Sequence, residues 1–184
     1  TTDAIQSIPI NAGLIVESEN WSSTLNELEN TLLWKTISNS EDWAEIKKTI
    51  ESVSLKFQAS DELKHFIDNQ KLYLSFHHST NDFYIFLSTS CNTEELKLIE
   101  MNDTLIGSFE SREYDGVKVY ELDNNWNLCH HKDILFMSSS SLLIEDGIRQ
   151  LNNEISLLDN TEFTKVQSTK STFAGAHIYT NYSN

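Results

Sequence analysis

The spacing of apolar side chains changes along this chain from a helical repeat to a strand repeat. Between residues 20 and 68, apolar residues recur every three or four positions, which places them on one face of an α-helix. Between residues 70 and 138, apolar and polar residues alternate, as they do in a strand with one buried side. The pattern therefore predicts a helical front part and a sheet-rich back part. The clearest helical seam is Trp43, Ile46, Ile50, Val53 and Phe57.

Polar turn residues divide the back part into hairpins. Ser79–Asp82 joins two alternating runs, and Asp115-Gly116 joins the next two, because Asp-Gly is a strong turn signal. The predicted strands are 13–17, 71–76, 83–87, 105–113, 117–122, 126–131, 134–138 and 173–180. The predicted helices are 3–8, 21–32, 41–57, 61–68, 93–100, 141–155 and 161–168.

The separation of helices from strands sets the expected fold class. Runs of helices followed by runs of strands are typical of α+β folds, whereas parallel sheets need alternating βαβ units. We therefore expect a mainly antiparallel sheet of about five to seven strands with helices packed on one face. One Pro and five Gly leave no stretch typical of a flexible linker, so residues 1–184 are predicted to form a single α+β domain.

The charge balance argues against several kinds of partner. The 184-residue chain carries a formal net charge of -15, from 28 acidic and 13 basic residues, and its longest basic run is Lys47-Lys48. Binding to nucleic acids or to anionic membrane surfaces needs clustered Lys and Arg, so we expect neither as a partner. No stretch approaches the roughly 18 consecutive apolar residues that span a membrane, so no transmembrane segment is expected.

The sequence contains none of the common motifs that carry a catalytic mechanism. G-x-G-x-x-G, a P-loop, G-x-S-x-G and H-E-x-x-H are all absent. Cys129 lies beside His130, but adjacent residues of a strand point to opposite faces and should not form a nucleophile–base pair. We therefore predict no enzyme activity, no catalytic residue and no cofactor.

Other polar clusters are interpreted as helix starts. Glu94-Glu95 and Glu145-Asp146 are predicted in first turns, where negative charge favours the helix dipole. Serines at 22–23 and 138–141 are predicted to cap the helices that follow them.

The two cysteines leave two states open. Cys91 and Cys129 lack C-x-x-C spacing, and the chain has no further Cys for a disulfide framework. They are either joined by a single disulfide in an oxidising compartment or buried as free thiols.

Histidine is the residue type whose placement suggests a binding site. His77-His78 and His130-His131 each end a predicted strand, and His177 lies in the last one. If these strands are neighbours, one His of each pair points to the same face, which makes His77, His131 and His177 candidates for a zinc or copper site. The alternative is that one member of each pair is solvated while the other packs or hydrogen-bonds within the fold.

Two stretches carry a resemblance to a known family. ILFMSSSSLLIEDGIRQLNNEISLLDNTEF (Ile134–Phe163) is a strand that runs into serines, followed by a helix of the pattern L-x-E-x-x-I-x-Q-L. This segment and IPINAGLIVESEN (Ile8–Asn20) resemble an uncharacterised family of exported bacterial proteins and lipoproteins, catalogued as a domain of unknown function. The resemblance implies a location in the periplasm or at the cell surface and transfers no site residue.

The start of the chain fits the same picture. It begins Thr1-Thr2 without Met, so we expect the N-terminal part of a longer exported protein, with a lipid anchor carried by a removed N-terminal segment.

These observations together predict a non-enzymatic binding or scaffolding module of an exported envelope protein. Its expected partner is another envelope protein or a further domain of the same chain. The alternative is a small-molecule or metal-binding domain, in which a His/aromatic sheet face forms a groove lined by Tyr73, Tyr84, His77 and His131.

Overall fold

A single sheet organises the computed structural model, which describes residues 3–31, 48, 51, 54–55, 61–79, 82–100, 110–122, 125–171 and 174–181. Within these residues the sheet has eight strands, and every pair of neighbouring strands is antiparallel. The strands are β1 Leu14–Ser18, β2 Leu72–His78, β3 Phe83–Ser90, β4 Glu110–Tyr114, β5 Val117–Glu121, β6 Asn127–His131, β7 Ile134–Ser138 and β8 Ala176–Thr180. Their order across the sheet is β4-β5-β6-β7-β3-β2-β1-β8.

The antiparallel α+β architecture is confirmed, whereas the predicted count of five to seven strands is too low. Each run of residues predicted as a strand contributes to this one sheet. The last of them, β8, follows the final helix and returns to pair with β1, at the opposite end of the described sequence. Residues 105–109 of the fourth predicted strand and Phe173 of the last one lie outside the described residues.

Five α-helices and two short 3-10 helices accompany the sheet among the described residues. The α-helices are α1 Trp21–Asn30, α2 Asp61–Asp68, α3 Thr93–Glu100, α4 Ser141–Asn153 and α5 Thr161–Ser168. The 3-10 helices are Ala4–Ser7 and Leu157–Asp159. The predicted helix of residues 41–57 falls largely outside the described residues.

The side chains that cap the helices differ from those predicted. At the start of α1, the Asn20 side-chain oxygen accepts a hydrogen bond from the Ser23 N–H at 2.8 Å, so Asn20 is the cap in place of Ser22 or Ser23. Ser140 stands at the N-cap of α4 without a side-chain capping bond. The nearby Ser138 hydroxyl accepts from the Ser140 N–H and donates to the Ile85 carbonyl, so this serine run ties α4 to the sheet.

The end of α4 corrects another prediction. The helix stops at Asn153 because Glu154 takes a left-handed conformation, with φ of 55°. Ile155, predicted on the buried side of this helix, therefore lies beyond its end and is 50% exposed.

Two separate apolar cores lie on the two faces of the sheet. The first core joins α1, α2 and α3 to one face, and its larger members include Trp21, Phe66, Ile67, Leu74, Phe76, Leu87, Ile99, Leu128 and Met137. The second core joins the N-terminal segment and α4 to the other face, through Ile5, Ile8, Ile15, Tyr73, Phe86, Phe136, Ile144, Ile148 and Leu151.

The prediction of helices on one face is therefore wrong. All five residues of β7 are buried, and the first six residues of β2 are buried as well. Strands that are buried at successive positions need cover on both faces, as in sheets sandwiched between helical layers. This sheet is accordingly the middle layer of three.

Residues 3–12 form an N-terminal segment that covers part of the second core. The Gln150 side chain of α4 makes two hydrogen bonds to this segment. Its Nε2 donates to the Ile8 carbonyl at 2.7 Å, and its Oε1 accepts from the Ile10 N–H at 2.9 Å. From the sheet, the Ser88 hydroxyl donates to the Ala4 carbonyl at 3.2 Å. These bonds fix the segment between α4 and the strands.

Gly147 of α4 lies close to this segment and to two rings of the second core. A Cβ at this position would lie 3.0 Å from the Ser7 carbonyl oxygen and 3.2 to 3.3 Å from the Phe86 and Phe136 rings. Those rings are fully buried and stack at 5.5 Å, so they have little room to move. Gly147→Ala is therefore expected to lower the free energy of unfolding by a net amount of about 1 kcal/mol, measured by urea titration. This net loss is expected even though the higher helix propensity of Ala, taken alone, would stabilise the protein by about as much.

An Asn26→Ala variant is the control for this prediction. Asn26 is exposed in α1, where the substitution changes mainly helix propensity and should stabilise the protein slightly. Stabilisation by Gly147→Ala would contradict the tight contact.

Candidate functional site

The three histidines proposed for a metal site lie far apart. His131 on β6 and His177 on β8 are separated by five strand spacings, or about 24 Å. His77 on β2 is three strand spacings, or about 14 Å, from the β6 strand of His131. Within the described residues there is no group of three or more His, Cys, Asp or Glu side chains able to hold a metal ion. The structure thus does not bring His77, His131 and His177 together.

Each of these histidines has a separate partner. His131 Nε2 lies 2.8 Å from the Asn152 side-chain oxygen of α4, and His177 Nε2 donates to the Ser171 carbonyl at 2.9 Å. The fold uses these two rings to hold neighbouring segments to the sheet.

His77 is the most buried of the three, with 3% of its surface exposed. Its Nδ1 lies 3.0 Å from the Asn11 side-chain oxygen, and its Nε2 lies 2.9 Å from the Ser75 hydroxyl. Because an amide oxygen only accepts, Nδ1 carries the proton, and neutral His77 accepts from Ser75 at Nε2. Burial lowers the pKa of His77 to about 4, against a smaller opposing effect of the Asp146 charge.

The Ser75 hydroxyl has a second acceptor within reach. It lies 3.3 Å from the Phe86 carbonyl, so it can donate there when His77 takes a second proton and donates to it instead. These hydrogen bonds can therefore be satisfied in both protonation states, and the cost of protonating His77 is mainly that of burying a charge. We therefore expect the contribution of His77 to stability to depend on pH.

Glu17 of β1 lies at the centre of a buried polar cluster. Its side chain is fully buried. The Tyr179 hydroxyl of β8 donates to Oε2 at 2.7 Å, and Lys170 Nζ donates to Oε1 at 2.7 Å. Lys71 Nζ lies 3.4 Å from Oε1 and 3.3 Å from the exposed carboxylate of Glu19.

The electrostatics of this cluster keep Glu17 ionised. Burial alone would raise the pKa of the Glu17 carboxyl, but hydrogen bonds from Lys170 and Tyr179 and the charges of both lysines hold it below its ordinary value. Burial and the adjacent carboxylate raise the pKa of Tyr179. A buried carboxylate that accepts two hydrogen bonds and pairs with a second lysine acts as a structural tie between β1 and the C-terminal part of the chain.

Local sequence pattern does not mark Glu17 as a site residue. Its partners Lys170 and Tyr179 lie 153 and 162 residues away, so no local spacing connects them. The one local signal is a carboxylate directly after the apolar run Leu14–Val16.

Both cysteines are buried free thiols. Cys91 belongs to the first core and Cys129 to the second, so the sheet separates them and the disulfide alternative does not hold. Burial raises the pKa of each thiol to about 12, with help from Glu95 and Asp133 at Cys91 and against the charge of Arg112 at Cys129. His130 Nε2 donates to the Cys91 carbonyl at 2.7 Å, so the His130 ring does not pair with the Cys129 thiol.

These thiols should react very slowly in the native protein, because the thiolate is the nucleophile. We expect a chromogenic disulfide reagent at pH 7.5 to label essentially no thiol within minutes and to label both after unfolding in guanidinium. The unfolded chain is the control for reagent and thiol integrity. Rapid labelling of native Cys129, assigned with Cys91→Ala, would contradict this burial.

The two pairs of adjacent carboxylates lie at different places along their helices. Glu94-Glu95 lies in the first turn of α3, as predicted, where Glu95 also accepts from the Asn92 N–H at 2.7 Å. Glu145-Asp146 lies beyond the first turn of α4, which corrects the prediction. Glu145 pairs with Arg112 at 2.9 Å, and Asp146 pairs with Arg149. Both acids of α4 are therefore engaged in ion pairs.

The predicted His/aromatic groove does not form. Tyr73 is 1% exposed within the second core, and His77 is buried against Asn11 of the N-terminal segment. Tyr84 packs at the edge of the same core, while His131 is bound to α4. The sheet face that should have been the groove is the interior of the second core.

A cleft of about 320 Å³ opens at the C-terminal end of α4. Lys132 contributes to its wall, but its Nζ donates to the Leu151 carbonyl at 2.6 Å. Gln150, also in the wall, is occupied by the N-terminal segment. Its lining contains one carboxylate and no His or Cys: Gln6, Lys132, Gln150, Leu151, Glu154, Ile155 and Ser156.

A second cleft of about 260 Å³ lies beside the start of α4, near Trp126 and Ser141.

None of the helices in the described ranges is both long and apolar enough to cross a membrane.

Comparison with known proteins gives a likeness of fold. No protein-family model matches the chain, and no curated protein matches it. Crystal form I of TP0453 superposes with a TM-score of 0.50 at 14% sequence identity, covering 98% of this chain and 63% of that one. Crystal form IV of TP0453 gives a TM-score of 0.48 at 16% identity, covering 98% and 64%. The chain thus spans a little under two thirds of TP0453, and at this identity the likeness concerns the fold alone.

Proposed function

We propose that this chain is a non-enzymatic binding or scaffolding module of an exported envelope protein. The observation that carries the proposal is the state of its buried reactive side chains. Glu17 and His77 are bonded to internal partners, and both cysteines are packed in apolar cores. Catalytic groups need access to a substrate and a matched pKa, which these side chains lack.

The two clefts support the same proposal. The larger one holds one carboxylate and one lysine, and that lysine is tied to the end of α4. General acid–base chemistry uses two groups that face a common reacting atom. These lining residues suit contact with another surface better than bond-making.

The net charge indicates the kind of partner. With a formal charge of -15, the chain attracts surfaces of positive charge and repels anionic ones. We propose a protein partner in the envelope with a basic contact surface. The location rests on the resemblance of Ile8–Asn20 and Ile134–Phe163 to exported proteins.

A substrate screen tests the absence of catalysis. The purified chain would be assayed with chromogenic esters, phosphate esters, glycosides and peptides, and no turnover above a buffer control is expected. Any activity would be repeated with Lys132→Met and Glu154→Gln in the larger cleft, because a contaminating enzyme is unaffected by them. Turnover that either variant abolishes would refute the proposal.

Fractionation of cells that express the natural gene product tests the location. We expect the protein in the periplasmic or membrane-associated fraction, with a cytoplasmic enzyme as the control for lysis. Recovery with that control enzyme would remove the envelope from the proposal.

A further inference from the structure

The outer edge of β8 carries backbone groups that have no partner among the described residues. Glu19 N–H donates to the Gly175 carbonyl, and Asn181 N–H donates to the Gly13 carbonyl, which fixes the alternation of bonds between β1 and β8. In an antiparallel pair, every second residue directs its N–H and C=O to the neighbouring strand. The intervening residues Ala176, Ile178 and Thr180 therefore direct theirs away from the sheet.

The side chains of this edge include no Lys, Arg, Asp or Glu. The β8 sequence is Ala-His-Ile-Tyr-Thr, and the Ile178 side chain is 48% exposed. Protein sheets guard open edges with Lys, Pro, charged side chains or bulges, because an unguarded edge accepts another strand. None of these devices occurs between Ala176 and Thr180.

The opposite edge of the sheet makes the contrast clear. β4 reads Glu-Ser-Arg-Glu-Tyr, with three charged residues in five. Its turn residues pair Tyr114 with Val117, so the alternation directs the backbone groups of Ser111 and Glu113 outward. One edge of the sheet is thus protected by charge, and the other is not.

The β8 edge is also held in a fixed position. Tyr179 and Lys170 both bond to the buried Glu17 carboxylate, one from within β8 and one from the segment before it. A rigid edge loses little conformational freedom when another strand pairs with it.

We propose that two copies of this chain associate through their β8 edges, by antiparallel pairing about a twofold axis at Ile178. In this register Ile178 lies opposite Ile178 of the second copy, and Ala176 lies opposite Thr180. Because these residues direct their N–H and C=O outward, the pairing forms about six backbone hydrogen bonds. The inference goes beyond the proposed function and does not depend on it.

A second copy fits this edge because the pairing is self-complementary and brings no like charges into contact. An antiparallel strand meets its own copy by a twofold rotation, which closes the assembly at two subunits. The contact of two strand edges is small, so the dimer should be weak, with a dissociation constant on the order of 100 µM. The net charge of -15 on each copy opposes association at long range, so added salt should strengthen the dimer by screening this repulsion.

Sedimentation equilibrium from 10 µM to 1 mM, in 50 mM and 500 mM NaCl, tests the proposal. We expect reversible dimerisation that is several-fold tighter at the higher salt concentration. Ile178→Lys should weaken it at least tenfold, because it places two lysines opposite each other on the axis. Ile178→Pro should do the same by removing an outward N–H, and the fold should persist because that N–H is not used within the sheet.

Val166→Lys is the matched control. Val166 is a second exposed aliphatic residue, on α5, and the substitution changes the net charge by the same amount. It should leave dimerisation unchanged or slightly tighter, since it reduces the overall repulsion between copies. If Ile178→Lys behaves like Val166→Lys, association does not use this edge and the proposal fails. A wild-type chain that stays monomeric at all these concentrations also overturns the proposed dimer. In that case a strand of another protein is the remaining candidate to pair with the β8 edge.

Discussion

Glu17→Gln is expected to lower the free energy of unfolding at pH 7 by about 3 kcal/mol. The substitution keeps the size and shape of the side chain but replaces one acceptor oxygen with a donor. Tyr179 and Lys170 each donate to a different oxygen of Glu17, so one of them loses its acceptor, and the lysines lose the negative charge beside them. Urea unfolding, monitored by circular dichroism, measures this loss of stability. Because Gln has the same size as Glu, the loss comes from unpaired buried groups and not from a cavity.

Glu19→Gln is the matched control for this prediction. Glu19 lies on the same face of the β1 end and pairs with the same Lys71, but its side chain is 51% exposed. Exposed ion pairs contribute little, so we expect a loss of about 0.5 kcal/mol or less. Equal effects of the two substitutions would show that the buried carboxylate is not a stabilising tie.

The pH dependence of this effect has a defined sign. The folded-state pKa of Glu17 lies below its ordinary value of 4.5, so its stabilising effect is complete above that pH and is lost as the pH falls further. The difference between wild type and Glu17→Gln should therefore shrink at pH 3.

Acidification from pH 7 to pH 4 is expected to remove about 3 kcal/mol of stability through His77 alone. The unfolded chain takes up a proton at this residue near pH 6.5, whereas the folded protein takes it up only near pH 4. Protons therefore favour the unfolded state throughout this interval, and stability falls with pH until the folded protein is also protonated. Urea titrations at half-unit steps of pH measure the slope.

His77→Gln should remove this part of the pH dependence while His78→Gln leaves it unchanged. His78 is the neighbouring residue of the same strand and is exposed. The comparison separates His77 from the carboxylates, whose effects lie mainly below pH 4.5. A slope between pH 6.5 and pH 4 that survives His77→Gln would show that His77 does not control it.

The strands and most helices of the described residues follow from short-range pattern. Alternation placed β2 and β3, the Asp115-Gly116 turn placed β4 and β5, and apolar spacing placed α4. Each of these signals depends on residues a few positions apart, and local geometry sets their periods.

The features that organise the candidate site depend on long-range contacts. Glu17 looks like a polar residue at the end of a strand until Lys170 and Tyr179 are brought to it. The assignment of helices to one face failed although the sequence held a signal, since Ile134–Met137 is apolar at four successive positions. A strand of that composition is typical of a sheet covered on both sides.

The pairing of β1 with β8 affects how the chain can fold while the ribosome synthesises it. Residues 14–18 are synthesised before residues 176–180, which form the strand on their outer side. During translation, one edge of β1 therefore stays open to other nascent chains until nearly all of the described sequence has emerged. Closing so long a loop is also slow, because its entropy must be lost before the pairing repays it. We therefore expect the β1–β8 pairing to be among the last contacts of the sheet to form.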